Sequence, residues 1–127
     1  MNKSDIDKRL KELKIEDFIW IIYIGIIFFS WYSNSLERKY YLNNDELSKK
    51  KYRKIMTIIF SILVVVYLYF LKDSYDGLVS LKKSDTNKKK NLTMLSFIAS
   101  LMIFISGLLF LYISLEDDDL NVEIAFN

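Results

Sequence analysis

Few residues in this chain carry side chains suited to catalysis, and they are not spaced as a catalytic or metal site requires. The 127 residues include no histidine and no cysteine, so the usual general base, the commonest metal ligand and thiolate chemistry are absent. The acidic run Asp117, Asp118 and Asp119 has no turn glycine or wider ligand set beside it, as a calcium or magnesium loop would. Tyr112 and the serines near it form no catalytic constellation. The sequence therefore predicts a protein that is not an enzyme and uses no metal and no cofactor.

A basic and aromatic stretch in residues 37–54 raises the possibility of nucleic-acid binding. Tyr40, Tyr41 and Tyr52 lie there among lysines and arginines, and such a mixture can bind RNA or single-stranded DNA. Beside a membrane the same mixture more often marks the headgroup layer. The net charge of the whole chain is only +2. We therefore expect membrane lipid, and no nucleic acid, beside this stretch.

Three apolar blocks without charged residues organise the chain and predict an all-α integral membrane protein. About 20 apolar residues are enough for a helix to cross a bilayer. The second block is short for a span, but Lys54 and Lys72 at its ends can extend their ammonium groups to the interface. In order, the segments are 1–17, an amphipathic N-terminal segment; 18–36, transmembrane helix 1; 37–54, a basic loop and helical extension; 55–71, transmembrane helix 2; 72–90, a second basic loop; 91–115, transmembrane helix 3; and 116–127, an acidic tail.

The N-terminal segment has the pattern of a short amphipathic helix. Ser4 followed by acids resembles a helix start, because acids are favourable near the positive end of the helix dipole. Ile6, Leu10 and Leu13 then fall on one helical face. Two interpretations remain open, a helix lying on the membrane surface and a leader packed on the loops.

The tail combines a cluster of acids with a strand pattern. Four apolar residues alternate with more polar ones after the acidic run, which predicts an ordered, extended segment. No other strand is evident in the chain, so a strand here would need the edge of a partner protein. The candidate contact residues of the tail are Glu116, Asp117, Asp118, Asp119, Leu120, Val122, Ile124 and Phe126.

Small residues in the third block predict a helix-packing face. Ser100, Gly107 and Ser114 recur every seven residues, and Ser96 lies one turn before Ser100. In lipid, small residues let helices approach closely, so these four are the candidate packing or partner face. The same face suits packing within a three-helix bundle and docking on another membrane protein or a second copy.

Three crossings would put the termini on opposite sides of the membrane, and residues 37–54 on the side of the tail. Residues 37–54 are net basic and the tail has no basic residue, so we expect the tail to fold back against this loop. Residues 1–17 and 72–90 together hold more basic residues than the other two polar segments. The positive-inside rule therefore favours a cytoplasmic N-terminus in a multi-pass protein of the cell membrane.

Two functions fit these patterns. The first is association with another protein, as an accessory, immunity or regulatory subunit. The alternative is a self-assembling pore like the small holins of phages, with the serine stripe lining or closing the channel. The sequence identifies neither the partner nor the number of subunits.

The predicted number of membrane crossings determines what reporter fusions at the two ends should show. A reporter active only in the cytoplasm should work at the N-terminus, and one active only outside should work at the C-terminus, because three crossings separate the ends. Two reporters active on the same face of the membrane would contradict the three crossings.

Overall fold

The computed structural model describes residues 2–123 and consists, over that range, of three α-helices without strands. Helix α1 is Lys3–Asn43, with 41 residues; α2 is Glu46–Val79, with 34 residues; and α3 is Asn87–Glu116, with 30 residues. The all-α prediction is confirmed for the described residues.

Helix α1 is longer than expected, because the N-terminal segment and the first apolar block form one continuous helix. Its N-cap is Asn2, whose side chain accepts a hydrogen bond from the backbone N–H of Asp5 at 2.9 Å, and Ser4 lies inside the helix. The expectation of a separate short N-terminal helix is therefore corrected. The chain has no proline and its first glycine is Gly25, so the change in polarity from Asp17 to Phe18 does not interrupt the helix.

The connection between α1 and α2 agrees with the capping residues in the sequence. Asn44 ends α1 in the left-handed conformation, with φ 54°, which asparagine tolerates better than most residues. Asp45 then caps α2 by accepting a hydrogen bond from the N–H of Leu47 at 3.1 Å, and from the hydroxyl of Ser48 at 2.9 Å. The predicted start of α2 inside the first loop is confirmed. The N-cap of α3 is Thr86, whose side chain accepts a hydrogen bond from the N–H of Lys89 at 3.1 Å.

The three helices lie side by side with α2 in the middle. The rings of Phe60 and Phe110 are 5.5 Å apart, and those of Tyr75 and Phe97 are 6.0 Å apart, so α3 runs antiparallel to α2. The two-residue connection makes α1 antiparallel to α2 as well. Within the described residues, no Cα atom of α1 lies within 8 Å of one in α3. Helix α2 therefore packs against both of the other helices.

The buried core is concentrated at the end of the molecule where α1 ends and α2 begins. Most of it belongs to the first half of α2, and α1 contributes at its far end. Phe60 and Met56 are each only 1% exposed. The buried apolar cluster comprises Leu36, Tyr52, Met56, Ile59, Phe60 and Leu63. At the opposite end the helices leave space between them, as described below.

Two of the three helices, α2 and α3, are long and apolar enough to cross a membrane. Helix α1, which contains the predicted transmembrane helix 1 at residues 18–36, is not one of them, so the prediction of a third spanning helix is not confirmed. In the apolar window of α3 only 6% of residues are buried against the rest of the chain, compared with 28% in α2. Helix α3 thus leaves more of its apolar window without a contact inside the chain than α2 does.

Gly107 is predicted to be intolerant of a methyl group. A Cβ there would lie 2.9 Å from Cδ2 and 3.3 Å from Cε2 of the Tyr67 ring, which would have to move. Gly107→Ala should therefore lower the free energy of unfolding by about 1 to 2 kcal/mol, typical of overpacking. The midpoint of thermal or denaturant unfolding in mild detergent measures this.

The control is Gly25→Ala, in a helix with no atom within 4 Å of the added Cβ. This change should be neutral or stabilising, because alanine favours a helix over glycine by about 1 kcal/mol. Equal midpoints for the two variants would show that α2 and α3 do not approach each other at Gly107.

Candidate functional site

The start of α2 and the end of α3 are joined by an arginine. The guanidinium Nη2 of Arg53 lies 2.7 Å from Oδ1 of Asp118 and donates a hydrogen bond at 3.2 Å to the backbone carbonyl of Leu115. That carbonyl belongs to the last turn of α3, whose C=O groups lack partners inside the helix. A cation at this place therefore both caps α3 and neutralises an acid of the tail. The Nε of Arg53 is buried and has no partner among the described residues.

Lys49, one turn before Arg53, makes the second connection between loop and tail. Its ammonium lies 3.1 Å from Oδ1 of Asp119, 3.8 Å from Oε2 of Glu46 and 5.2 Å from the ring centre of Tyr40. Its side chain is only 12% exposed. The hydrogen bond that Lys49 donates to the carboxylate of Asp119 raises the pKa of Lys49, and the nearby charge of Glu46 adds to the effect. The expected attraction between the basic loop and the acidic tail is thus present as two ion pairs.

Asp117 folds the tail into a turn. Its carboxylate accepts hydrogen bonds from the backbone N–H groups of Asn121, at 2.9 Å, and Val122, at 2.8 Å. These bonds lower the pKa of Asp117 below its ordinary value, because they favour the charged carboxylate. We call Asp117–Val122 the tail turn.

Leu120 anchors the tail turn to the buried core. Its φ is 54°, a left-handed conformation that is unfavourable for a branched residue. Its side chain nevertheless packs against the core cluster. It lines a small space with Tyr52, Met56 and Ile113. The apolar contact and the bonds to Asp117 together hold the strained backbone.

The extended strand expected in the tail is not found in its described part. Residues 117–123 contain the tail turn instead, because the carboxylate of Asp117 supplies local partners for backbone groups that a strand would leave free. Glu116 is the last residue of α3. Ile124 and Phe126 lie outside the described residues.

The predicted small-residue face lies toward α2. Gly107 faces Tyr67 and Val64 of α2. Ser114 is 6% exposed, and its hydroxyl donates to the carbonyl of Leu111 at 2.8 Å. Ser96 and Ser100 line an open space between the helices. The four residues therefore lie on one face, which is packed at its C-terminal half and open at its N-terminal half.

The open space is a cleft along the second half of α2, whose larger part lies between α2 and α3 and whose smaller part lies between α1 and α3. It consists of two cavities, of about 550 and 270 Å³. Asp73, Ser74 and Ser96 line both cavities, so the two are adjacent. The larger cavity is also lined by Thr86, Lys88, Lys89, Leu92, Thr93 and Gly77, and the smaller by Tyr23, Tyr67, Phe70, Ser100 and Ile103.

Asp73, at the junction of the two cavities, is the most notable polar residue of the cleft. It lies just beyond the apolar block 55–71, and within residues 2–123 it makes no hydrogen bond or ion pair. Burial raises its pKa, and the carboxylates of Glu12 and Glu16 raise it further. Asp73 could not be singled out from the sequence, because the charged groups near it come from α1. A signal was present in the sequence, since Asp73 is an acid only two residues after the apolar block.

Comparison with known proteins gives no family assignment. The chain matches no protein-family model, no curated protein and no solved structure. We therefore infer the function of the protein from its structure.

The tail turn is predicted to depend on pH at both extremes. The lowered pKa of Asp117 means that its contribution is complete above its ordinary value of 3.8 and is lost as pH falls through the lower folded value. The raised pKa of Lys49 means that its contribution is complete below 10.5 and is lost as pH rises through the higher folded value. A spin label on a cysteine at Val122, in a chain with no other cysteine, should be immobile between these limits and mobile beyond them.

The matched variant for the low-pH transition is Asp117→Asn, whose side-chain amide does not titrate. The spin label in this variant should be more mobile than in the native chain at neutral pH, and its mobility should change less on acidification. An Asp117→Asn chain with the same acid profile as the native chain would contradict the role given to Asp117.

Proposed function

We propose that the protein is a small integral membrane protein with three crossings, which acts by association with another protein and not as an enzyme. The association surface is the acidic tail turn together with the outer face of α3. In this proposal the N-terminus is cytoplasmic and the tail turn lies outside the cell membrane.

The exposed apolar surface supports a position in lipid for α1 as well as α2 and α3. Residues 18–36 contain no charge. Phe28 is 63% exposed and Trp31 71% exposed. A soluble monomer rarely leaves such a large continuous apolar surface in water. Aromatic residues near both ends of 18–36 also suit the two membrane interfaces.

The helix lengths agree with this position. At 1.5 Å per residue, α2 is about 51 Å long and α3 about 45 Å, compared with about 30 Å of hydrocarbon. The charged ends of the helices therefore extend beyond the hydrocarbon. Lys49 and Arg53, before the apolar block of α2, would lie at the surface with the tail turn.

The main support for the proposed association is that the tail turn holds its acidic side chains in fixed positions. Ordering an irregular segment after a helix costs conformational entropy. Here Asp117, Leu120, Lys49 and Arg53 hold the turn in place. The side chains of Asp118 and Asp119 remain 77% and 75% exposed despite their ion pairs. A fixed acidic surface of this kind suits a basic segment of a partner.

The outer face of α3 supplies an apolar surface beside the tail turn. Met102 is 63% exposed and Leu109 59% exposed. The four small residues of the sequence-based partner face lie toward α2, so the partner surface proposed here is on the other side of α3. The same inward orientation supports association over the pore, since Gly107 and Ser114 are engaged within the monomer.

Photo-crosslinking in cells tests the association. A photoreactive phenylalanine analogue at Leu109 or Val122 of the full chain should give an adduct with one other protein. Replacing both Asp118 and Asp119 with asparagine should reduce the adduct roughly threefold or more, because the charges facing a basic partner are removed.

The control variant replaces Asp5 and Asp7 with asparagine. It makes the same change of charge at the other end of the chain, where α1 begins, and should leave the adduct unchanged. Equal loss in both variants would show that only net charge matters. A ladder of multiples of this chain, with loss of membrane potential, would favour the pore and contradict the proposal.

A further inference from the structure

The cleft along the second half of α2 is not explained by the proposed association. Its larger part is an open groove between α2 and α3 of about 550 Å³, a volume within the usual range for small-molecule sites. The tail turn and the outer face of α3 take no part in it. The cleft lies at the opposite end of α2 from Lys49 and Arg53, so it would face the other membrane surface. The inference rests on the proposed position in lipid but not on the proposed partner.

The walls of the cleft carry opposite charges at its outer end. On the α2 side, the carboxylate of Asp73 makes no hydrogen bond or ion pair within the described chain, and Glu12, Glu16 and the guanidinium of Arg9 on α1 lie near it. On the α3 side are Lys88 and Lys89. Lys89 is paired with Asp85 at 3.2 Å, whereas Lys88 makes no ion pair within residues 2–123. Asp73 and the lysines line the same cavity without pairing across it. A group that fills the cavity can therefore meet a carboxylate on one side and ammonium groups on the other.

The inner end of the cleft is narrower and less charged. The smaller cavity, about 270 Å³, continues from Asp73 toward the middle of the bundle. Tyr23, Tyr67, Phe70 and Ile103 line it, with the hydroxyl groups of Ser96 and Ser100. No Cα atom of α1 lies within 8 Å of one in α3 in the described part of the chain, so this part of the cleft is partly open between the two helices. It suits a flexible apolar chain.

We propose that the cleft binds one phospholipid with a zwitterionic headgroup. Its ammonium lies against Asp73, its phosphate faces Lys88 and the N-terminal turn of α3 that Thr86 caps, and an acyl chain enters the smaller cavity. The outer end of the cleft lies just beyond the apolar blocks, at the depth of headgroups. An anionic lipid without an ammonium would leave Asp73 unpartnered beside a phosphate. A headgroup without acyl chains would leave the smaller cavity empty.

Native mass spectrometry of the full chain in mild detergent tests the proposal. The probes are phosphatidylethanolamine and phosphatidylglycerol with identical acyl chains, and soluble phosphorylethanolamine as competitor. One phosphatidylethanolamine should remain bound, about tenfold more tightly than phosphatidylglycerol, as a charge-assisted hydrogen bond would give. Equal binding of the two lipids would overturn the proposal. Displacement of the lipid by equimolar phosphorylethanolamine would overturn the choice of a lipid over a soluble headgroup.

Two variants and one control complete the test. Asp73→Asn should remove the preference for phosphatidylethanolamine, and Ser100→Leu should weaken both lipids by filling the smaller cavity. The control Asp76→Asn removes an acid one turn further along α2 that does not line the cleft, and should keep the preference. A similar effect of Asp73→Asn and Asp76→Asn would overturn the site.

Flotation with vesicles separates the possible failures. A chain that does not float with vesicles contradicts both the position in lipid and the cleft proposal. A chain that floats but shows no preference between the two lipids contradicts the cleft alone.

Discussion

Ion pairs between the start of α2 and the acids that follow α3 hold one end of the molecule together. Helix α3 runs into acids at its negative end, which is unfavourable, typically by about 0.3 to 1 kcal/mol for each charge. The first turn of α2 has the favourable acids Asp45 and Glu46, and Lys49 and Arg53 follow further along the helix. Because α2 and α3 are antiparallel, these two basic residues lie beside the acids that follow α3. Ion pairs with Asp118 and Asp119 and the bond to the carbonyl of Leu115 then offset the unfavourable charge at the end of α3.

We call the end of the molecule where Lys49 and Arg53 pair with the tail acids the closed end. The rest of the architecture depends on it. The buried cluster around Met56 and Phe60 lies directly inside it, and Leu120 of the tail packs onto that cluster. Apolar packing supplies most of the stabilisation, since partly exposed ion pairs each contribute little. The charges instead set which turn of α3 lies beside which turn of α2. At the opposite end the helices leave space between them, which is the cleft beside Asp73.

Local patterns predicted much of the fold. Three apolar blocks gave three helices, and the spacing of Gly107 and Ser114 identified the face of α3 that packs on α2. The wrong prediction for the tail concerns the hydrogen-bond partners of its backbone. A strand was expected there because the apolar residues alternate. The alternation does not show that the carboxylate of Asp117 accepts hydrogen bonds from the nearby backbone N–H groups. The cleft was not predicted because Asp73 acquires its surroundings only when α1 lies beside α2.

Carbodiimide coupling of the unmodified chain in vesicles tests the closed end most directly. The reagent joins a carboxylate to an amine in contact with it, and the ammonium of Lys49 lies 3.1 Å from Asp119. We predict that an amide between Lys49 and Asp119 is the main link between residues distant in sequence, identified by mass spectrometry after digestion. Links from the tail acids to Lys88, Lys89 or Lys90 instead, at the opposite end of α3, would contradict the antiparallel arrangement and the pairing on which the account depends.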